Sequence, residues 1–453
     1  MAPAELRRAL ACNNAPRQIT ASSRVDKDEL EDLATKWLFS RVSIRLLCGM
    51  NKTAGTTEPA PAGGKRVLTQ DQREQARKLF AYLDTQTTAV ADTVYRNEVA
   101  DYTCPKQLAR ERELFFRRGP LFVGLSCLLP RSGDYMTHDY AGVPMLLVRH
   151  EDGNLRAFLN VCRHRGARVA GGSGHGVKRF LCPYHAWAYA TDGRLIARPD
   201  ERSFAEIDSA SCSLRELPVA EKYGMIYVSP TPGRGIDVDA ILSGAQRDMA
   251  AYKLDAYHHY ETRVLRQKIN WKIVVDTFLE TYHLQFLHRK TVDPILYSNT
   301  STFDAFGRNL RMIAARRTIG ELRALAEPEW NLIPYTAIVY VLFPNTVFIM
   351  QGDHVETWHV FPDGESADEA IMYISLYTPE KAETESARRH WDRNMALLLA
   401  TVQNEDFPLS EGIQRGFYSG AQDAILFGRN EPSLQHFHKS VKAALAEGNG
   451  AAG

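Results

Sequence analysis

The chain has 453 residues, enough for roughly two or three domains with a large buried core. Its 55 Lys and Arg residues nearly balance 54 Asp and Glu residues, so a net charge of +1 gives no reason to expect nucleic acid or an anionic membrane surface as a partner. No stretch reaches the roughly 18 apolar residues of a membrane span, and the N-terminus lacks the apolar segment of a signal peptide. The seven cysteines are an odd number and widely spread, which is typical of a reduced protein. We therefore expect a cytoplasmic protein without nucleic-acid or membrane partners.

Residues 1–64 are predicted to be a disordered N-terminal extension. Scattered charged residues lead into a segment at 53–64 that consists of Thr, Ala, Gly, Pro and one Glu, a composition typical of linkers. Residues 65–113 are expected to form a helical arm, because apolar residues recur at helical spacing between Asp71 and Tyr95.

Over residues 114–232 the sequence pattern changes to short segments of alternating apolar and polar residues, broken by Gly, Pro and Asp. One example is the run at 144–150, which is followed by the turn residues at 151–154. Regularly spaced short strands of this kind predict a small antiparallel β domain.

Two Cys/His pairs lie in predicted loops of this β domain. One residue separates Cys162 from His164, and two residues separate Cys182 from His185. Each pair supplies a thiolate and an imidazole, the mixture that a [2Fe–2S] centre needs when two His replace two Cys on one iron. The neutral imidazoles raise the reduction potential to roughly −150 to +300 mV, within reach of a ferredoxin or flavin donor. A structural zinc is the alternative, although zinc fingers usually pair Cys with Cys and His with His.

Residues 233–453 are predicted to form a second domain of α+β type. Helical patterns occur at about 236–254, 270–290 and 382–406. They flank strand-like runs at about 257–268, 337–343, 346–350, 355–361 and 370–376. Together these patterns predict an antiparallel sheet with helices packed on it.

A second group of candidate metal ligands lies in the helical pattern at 270–290. Glu280 and His283 are three residues apart and share a face of a helix. On a regular helix His288 lies about 140° away from His283, so both bind one ion only if the helix ends or bulges between them. An ordinary helix surface with two histidines is the alternative.

A third ligand is expected near the end of the helical pattern at 382–406. Its apolar stripe continues to Glu405 and Asp406. A carboxylate on a buried face is costly unless it is paired or bound to a metal, so we expect Asp406, or else Glu405, to be a ligand. A solvent-exposed acid before Pro408 is the alternative. Two His and one carboxylate on one face of Fe(II) leave positions open for O₂ and substrate.

As a set, these residues resemble one family. The β domain with its two Cys/His pairs, the segment from Asn270-Trp271-Lys272 to Glu280-x-x-His283-x₄-His288 and the late Glu405-Asp406 pair are similar to the α subunit of a Rieske non-haem iron oxygenase, in the aromatic-ring-hydroxylating dioxygenase family. The resemblance covers about residues 110–440.

The resemblance implies a Rieske [2Fe–2S] domain at 114–232 and a helix-grip catalytic domain at 233–453 that holds a mononuclear Fe(II). It also implies a homotrimer, with or without a small β subunit, and a ferredoxin or flavin reductase that supplies electrons from NAD(P)H. In this family the acid at the position of Glu280 bridges the iron ligand His283 to His185 of the partner subunit.

The sequence departs from the common family pattern at three positions. Ala186 stands where the second Rieske loop usually has Gly, which costs about 1 kcal/mol if the position requires positive φ. Thr277 stands where Asn is frequent near the iron. Glu280 replaces the commoner Asp, a feature similar to the branch that acts on quaternary ammonium compounds such as carnitine.

We expect an oxygenase component that activates O₂ at Fe(II) to hydroxylate or dihydroxylate an organic substrate, with an aromatic substrate as the main interpretation. The alternative substrate is a quaternary ammonium compound such as carnitine or betaine, acted on by a monooxygenase or demethylase. A Rieske electron carrier without oxygenase activity and a zinc-stabilised ligand-binding module are two other classes. The second metal site and the roughly 220 residues after Gly233 weigh against the carrier.

Overall fold

The computed structural model describes residues 63–139, 141–233 and 235–450. The predicted extension at 1–64 lies outside these residues, apart from its last two positions. No helix in the described part of the chain is long and apolar enough to cross a membrane.

The fold is α+β, and the strands pair antiparallel. In chain order the α-helices are α1 Gly63–Thr85, α2 Ala100–Thr103, α3 Pro105–Glu111, α4 Val238–Leu242, α5 Gln246–Tyr252, α6 Trp271–Asp276, α7 Leu284–Leu287, α8 Glu385–Thr401, α9 Phe407–Phe417 and α10 Pro432–Gly450, and two π-helical segments are Arg112–Arg117 and Val402–Asp406. The strands are β1 Tyr95–Glu98, β2 Leu121–Leu125, β3 Tyr135–His138, β4 Met145–Arg149, β5 Leu155–Leu159, β6 Ser173–Gly174, β7 Arg179–Leu181, β8 Ala188–Ala190, β9 Leu195–Ala197, β10 Glu216–Leu217, β11 Val219–Lys222, β12 Met225–Val228, β13 His258–Gln267, β14 Leu296–Phe306, β15 Asn309–Arg316, β16 Thr336–Leu342, β17 Thr346–Gln351, β18 His354–Pro362, β19 Ala370–Thr378 and β20 Ala424–Phe427.

The described residues form two compact units. The small unit contains Lys106–Ile241 and Lys253–His259, and the large unit contains 63–105, Leu242–Tyr252 and the chain from Tyr260 onward. This division differs from the predicted domain boundaries at 113/114 and 232/233, because residues 233–241 group with the small unit and most of the predicted arm groups with the large unit. The arm at 65–113 is also not helical throughout, since β1 interrupts it and pairs with β20.

The small unit consists of three antiparallel sheets, in the strand orders β10-β5-β4-β3-β6, β11-β12-β2 and β7-β8-β9. Alternating apolar residues of β4, β5 and β8 pack into one core that also contains Cys162 and Cys182. The first Cys/His pair follows β5 and the second lies between β7 and β8. Both pairs are therefore held in loops that the sheets anchor on each side.

The large unit is built on a seven-stranded sheet in the order β13-β19-β18-β17-β16-β15-β14. The sequence predicted β13 and β16–β19 to within about two residues but not β14 or β15. Strand β14 is rich in polar residues, and its hairpin with β15 turns at Gly307, whose φ of +59° suits a tight two-residue turn. Tertiary pairing with β15, and not an apolar pattern of its own, defines β14.

The pairing register assigns residues to the two faces of this sheet, because directly opposed residues point to the same side. The first face carries Val339, Ile349, Glu356 and Leu376, which are successive cross-strand partners. Trp358 on this face contacts Phe278 just after α6, and His354 contacts Trp391 on α8, with ring centroids 4.9 and 5.6 Å apart. The helices that flank the candidate iron ligands therefore cover the first face.

The second face carries Tyr340 and Phe348 and is covered by α1 and α5. Arg311 on this face donates to Asp71 of α1 at 2.8 Å and to Asp248 of α5 at 2.9 Å. Tyr340 also donates to Asp248 at 2.7 Å. This buried ion-pair network fixes the N-terminal helix on the side of the sheet opposite the candidate iron ligands.

Candidate metal centres

The two Cys/His loops of the small unit fold into the same turn. The Cys162 N–H donates to the Ala167 carbonyl at 2.8 Å, and the Gly166 N–H donates to the Cys162 carbonyl at 2.9 Å. In the second loop the Cys182 N–H donates to the Trp187 carbonyl at 2.9 Å, and the Ala186 N–H donates to the Cys182 carbonyl at 3.0 Å. Gly166 and Ala186 are therefore equivalent positions.

This turn brings four candidate ligands together. Both cysteines are 2% exposed, and the rings of His164 and His185 lie 4.6 Å apart between centroids. The Nδ1 atom of His164 is buried and has no hydrogen-bond partner among the described residues. Two thiolates and two imidazoles that include an unpaired buried nitrogen fit a [2Fe–2S] cluster with mixed ligands.

Neighbouring side chains hold the loops and tune the thiolates. Asn160 accepts from the N–H groups of Val169 and Ala170 and donates to the Ala170 carbonyl at 2.8 Å, which fixes the first loop. Tyr189 Oη accepts from the Arg163 N–H at 3.0 Å and lies 3.3 Å from Cys162 Sγ. Burial raises the pKa of Tyr189, so the phenol keeps its proton and can donate it to the sulfur. Hydrogen bonds to a ligating sulfur raise the reduction potential of such clusters.

Sequence reasoning missed Tyr189 and Trp187, although a signal was present. These aromatic residues follow Cys182 with the two-residue period of a strand, and the ring of Trp187 stacks on His164 at 4.9 Å and 5°. Residues at alternate positions of a strand share a face, and here both aromatic residues face the candidate ligands.

The first testable prediction concerns Ala186, which has φ +56° where the equivalent Gly166 has φ +77°. A residue with a Cβ is strained in this region, so Ala186→Gly should stabilise the small unit by about 1 kcal/mol. The visible circular dichroism of the cluster, followed during thermal unfolding, measures this change. Ala170→Gly is the matched control and should not stabilise the protein. An unchanged or lower midpoint for Ala186→Gly would contradict the interpretation.

In the large unit, the helix predicted at 270–290 is interrupted. Helix α6 ends at Asp276, residues 277–283 form turns, and α7 starts at Leu284. Asn270 begins α6 by accepting the Lys272 N–H at 3.0 Å. The break lies before His283, and the two histidines flank the single turn of α7, which ends at Leu287. At the two ends of this turn the rings of His283 and His288 lie 4.9 Å apart between centroids.

The third candidate ligand comes from the far end of the chain. Helix α8 continues into the π-helical segment Val402–Asp406, a local form that is frequent at functional sites. Candidate ligand atoms of His283, His288 and Asp406 all lie within 4.8 Å of one another. Asp406 Oδ1 is 3.1 Å from His288 Nε2 and 3.8 Å from His283 Nε2. Two imidazole nitrogens and a carboxylate on one side of a shared point fit a mononuclear Fe(II).

Each histidine of this trio has a second carboxylate behind it. His283 Nδ1–H donates to Glu280 Oε1, and His288 Nδ1–H donates to Glu405 Oε2 at 2.6 Å. Thr291 donates to the same Glu405 oxygen at 2.6 Å. Such outer carboxylates leave each Nε2 lone pair available to a metal and make it more basic. The structure thus places Glu405 behind a ligand and Asp406 at the centre.

The charge of the trio also suits a bound cation. Burial opposes the charged form of His288, but hydrogen bonds to Asp406 and Glu405 outweigh it and raise the pKa of His288 to about 9. In the metal-free protein a proton therefore lies between His288 and its carboxylate partners. A divalent cation suits the same position.

Other residues considered in the sequence analysis lie outside this trio. Thr277 donates to the Val274 carbonyl at 2.8 Å. Its hydroxyl thus ends α6, and the hydrogen bond gives it a structural role near the break.

The second testable prediction separates the two neighbouring acids. Asp406→Asn should remove the mononuclear iron while leaving the cluster spectrum intact, because a three-ligand site that loses its only anionic ligand holds Fe(II) poorly. Glu405→Gln should retain iron with an affinity roughly 10–100-fold lower, as expected for an outer-sphere partner. Iron titration of the anaerobic apoprotein measures both. If Glu405→Gln abolishes iron binding and Asp406→Asn does not, the assignment of the two acids is reversed.

Comparison with known proteins gives two family matches. Residues 120–218 match the model of the Rieske [2Fe-2S] domain, and residues 254–447 match that of the ring hydroxylating alpha subunit (catalytic domain). The first range contains all four candidate Cys/His ligands, and the second contains the candidate ligands His283, His288 and Asp406.

Curated relatives and a solved structure are similar to this chain. It is 30% identical over 200 residues to the glycine betaine monooxygenase oxygenase subunit of Chromohalobacter salexigens, an alignment that spans 44% of each chain. It is 28% identical over 346 residues to choline monooxygenase of Beta vulgaris, covering 74% of each. The crystal structure of the quaternary ammonium Rieske monooxygenase CntA with L-carnitine superposes with a TM-score of 0.65, at 19% identity, over 86% of this chain and 99% of that one. At this identity the superposition shows a shared fold.

Proposed function

We propose, from the premise that this chain belongs to the Rieske oxygenases with a ring-hydroxylating α-subunit catalytic domain, that it is the oxygenase component of a monooxygenase for a small quaternary ammonium compound. The observation that carries this proposal is the presence, in one chain, of a mixed Cys/His cluster site and the convergent trio of His283, His288 and Asp406. An electron carrier has no use for the second site.

The substrate class rests on the named relatives. Glycine betaine and choline are the substrates in the names of two curated relatives. They favour the quaternary ammonium alternative over the aromatic substrate of our main sequence interpretation, which the relatives do not support. The replacement of the commoner Asp by Glu280 points the same way.

The two groups supply complementary chemistry when bound: the cluster transfers single electrons, and the mononuclear Fe(II) activates O₂. In the overall reaction one oxygen atom enters a C–H bond of the substrate and the other leaves as water. NAD(P)H provides two electrons through a reductase, and the accompanying two protons come from NAD(P)H and solvent.

The residues of this chain hold the ligands and carry protons at stated atoms. Glu280 accepts the Nδ1 proton of His283 and also the N–H groups of Tyr282 and His283, which fixes the turn before α7. Glu405 accepts the Nδ1 proton of His288 and is itself held by Thr291. Both imidazoles are therefore fixed in orientation before metal or substrate binds, which limits the reorganisation that catalysis requires.

We also propose that a ferredoxin or flavin reductase is the electron donor and that the chain forms a homotrimer in which Glu280 reaches His185 of the partner subunit. A cytoplasmic location fits the five described cysteines, none of which forms a disulfide.

The third testable prediction concerns the product of the reaction. The purified chain, supplied with a Rieske reductase and NADH, should consume O₂ and form a hydroxylated or dealkylated product from at least one of glycine betaine, choline and L-carnitine. Benzoate and naphthalene should give none. Mass spectrometry with ¹⁸O₂ measures incorporation of one labelled atom, and His288→Ala is the inactive control. Product from an arene and from none of the ammonium compounds would overturn the substrate assignment.

The fourth testable prediction concerns Glu280, which we propose to couple the two iron centres. Glu280→Gln keeps the size of the side chain but exchanges an acceptor oxygen for an NH₂ group, so one of the N–H contacts of the carboxylate must be lost. Both centres should assemble, and reoxidation of the reduced cluster by O₂ plus substrate should slow at least tenfold, equivalent to about 1.4 kcal/mol on the barrier.

Glu405→Gln is the matched control for Glu280→Gln, since it removes the other carboxylate behind an imidazole. Its reoxidation rate, per bound mononuclear iron, should stay within about threefold of the wild type. Stopped-flow absorbance of the cluster measures both rates. Wild-type reoxidation in Glu280→Gln would exclude the coupling role.

A further inference from the structure

One oxygen of a buried carboxylate on the first face of the seven-stranded sheet lacks a hydrogen-bond partner among the described residues. Glu356 is 4% exposed, and its Oε1 accepts a hydrogen bond from His354 Nε2 at 2.9 Å. Its second oxygen, Oε2, is buried and has no hydrogen-bond partner among the described residues. Two residues along the same strand, the buried Trp358 Nε1–H likewise has none.

The charges around Glu356 are already balanced. Burial opposes the charged form of His354, but hydrogen bonds to Asp353 and Glu356 raise its pKa to about 9, so it is cationic at pH 7. Burial lowers the pKa of Arg316, which faces Asp353 and Glu356, to about 10, so it is cationic as well. Two cations thus offset two carboxylates, and His390 from α8 contacts Asp353 at 3.1 Å. What Oε2 lacks is a hydrogen-bond donor, not a counter-ion.

An unpaired buried acceptor costs about 1–3 kcal/mol, more when it is charged. Glu356 lies on the face that carries the iron segment, because Trp358 on the same strand contacts Phe278 just before Glu280. Its cross-strand neighbours on this face are Ile349 and Leu376, which offer no donor. A donor for Oε2 must therefore come from a water or from a ligand that enters between the sheet and α6 or α8.

We propose that Glu356 is a specificity-determining residue whose Oε2 accepts a hydrogen bond from a hydroxyl group of the substrate. This inference rests on the proposed function for the ammonium group of that substrate, and it adds that hydroxyl-bearing members of the class bind in preference to hydroxyl-free ones. A site built around a buried acceptor discriminates strongly against the analogue that lacks the donor, because the acceptor then stays unpaired.

The experiment uses two pairs of ligands that differ by one hydroxyl group. L-Carnitine and γ-butyrobetaine form the ammonium pair, and benzyl alcohol and toluene form a neutral aromatic pair. The four dissociation constants are measured by isothermal titration calorimetry under nitrogen, on the full chain with the [2Fe–2S] cluster and the mononuclear iron both bound. We expect L-carnitine to bind at least about tenfold more tightly than γ-butyrobetaine, the discrimination typical of a hydrogen bond to a charged group.

Two variants test whether Glu356 is the source of this preference. Glu356→Leu removes the acceptor and should reduce the L-carnitine preference to less than about twofold, with γ-butyrobetaine affinity changing least. Glu356→Gln should retain part of the preference, because either end of an amide can pair with a hydroxyl. Glu365→Leu, an exposed acid in the turn after β18, is the matched control and should bind like the wild type.

The outcomes separate this inference from the proposed function. Two outcomes overturn the role of Glu356 but leave the ammonium substrate class standing. The first is equal affinity of the wild type for L-carnitine and γ-butyrobetaine. The second is a preference for L-carnitine that survives in Glu356→Leu. Binding of benzyl alcohol alone, lost in Glu356→Leu, supports Glu356 and overturns the substrate class. Failure of all four ligands to bind overturns both. If Glu356→Leu does not fold, the wild-type preference and its reduction in Glu356→Gln decide the matter.

Discussion

Hydrogen bonds between carboxylates and imidazoles hold the mononuclear site together across 118 residues of sequence. Glu405 and Asp406 are adjacent on one π-helical segment and form hydrogen bonds with Nδ1 and Nε2 of His288, respectively. Glu280 forms a hydrogen bond with Nδ1 of His283. Without a bound cation, three carboxylates and two imidazoles meet at a buried point, where unpaired charge is expensive. The sheet and its helices bring these groups together. A metal cation is the ligand that best suits such a cluster of carboxylates and imidazoles.

Buried polar groups elsewhere in the described residues are likewise either paired with a partner or left unpaired. In the small unit two copies of one turn present a thiolate and an imidazole each, and the buried His164 Nδ1 is left unpaired where a cluster would bind. On the second face of the sheet Arg311 is fully paired with acids and fixes the N-terminal helix. On the first face Glu356 is paired on one oxygen only.

Local patterns in the sequence predicted a large part of this arrangement. The Cys/His spacing predicted the cluster loops because all four candidate ligands lie within two short turns. Helix geometry required the helix to end or bulge between His283 and His288, and α7 ends at Leu287 between them. The strands from β16 to β19 were visible as apolar runs. The question of a positive φ at Ala186 came from the family resemblance, which usually has Gly at this position, and the structure has φ +56° there.

Non-local features could not be predicted in the same way. Glu405 and Asp406 are neighbours, and only the π-helical turn decides which of them faces the histidines. The polar strand β14 is defined by its tertiary pairing with β15, and the strand β1 within the predicted arm depends on β20 more than 300 residues later. Glu356 has no sequence signal, because alternation in a strand shows which residues share a face but not whether a buried carboxylate is satisfied.

The central claim is that one chain holds both a [2Fe–2S] cluster and a mononuclear iron. Iron and acid-labile sulfide determined together on the anaerobically purified chain test it most directly. We expect about three iron atoms and two sulfides per chain. Two irons with two sulfides would contradict the second site, and zinc without sulfide would contradict both.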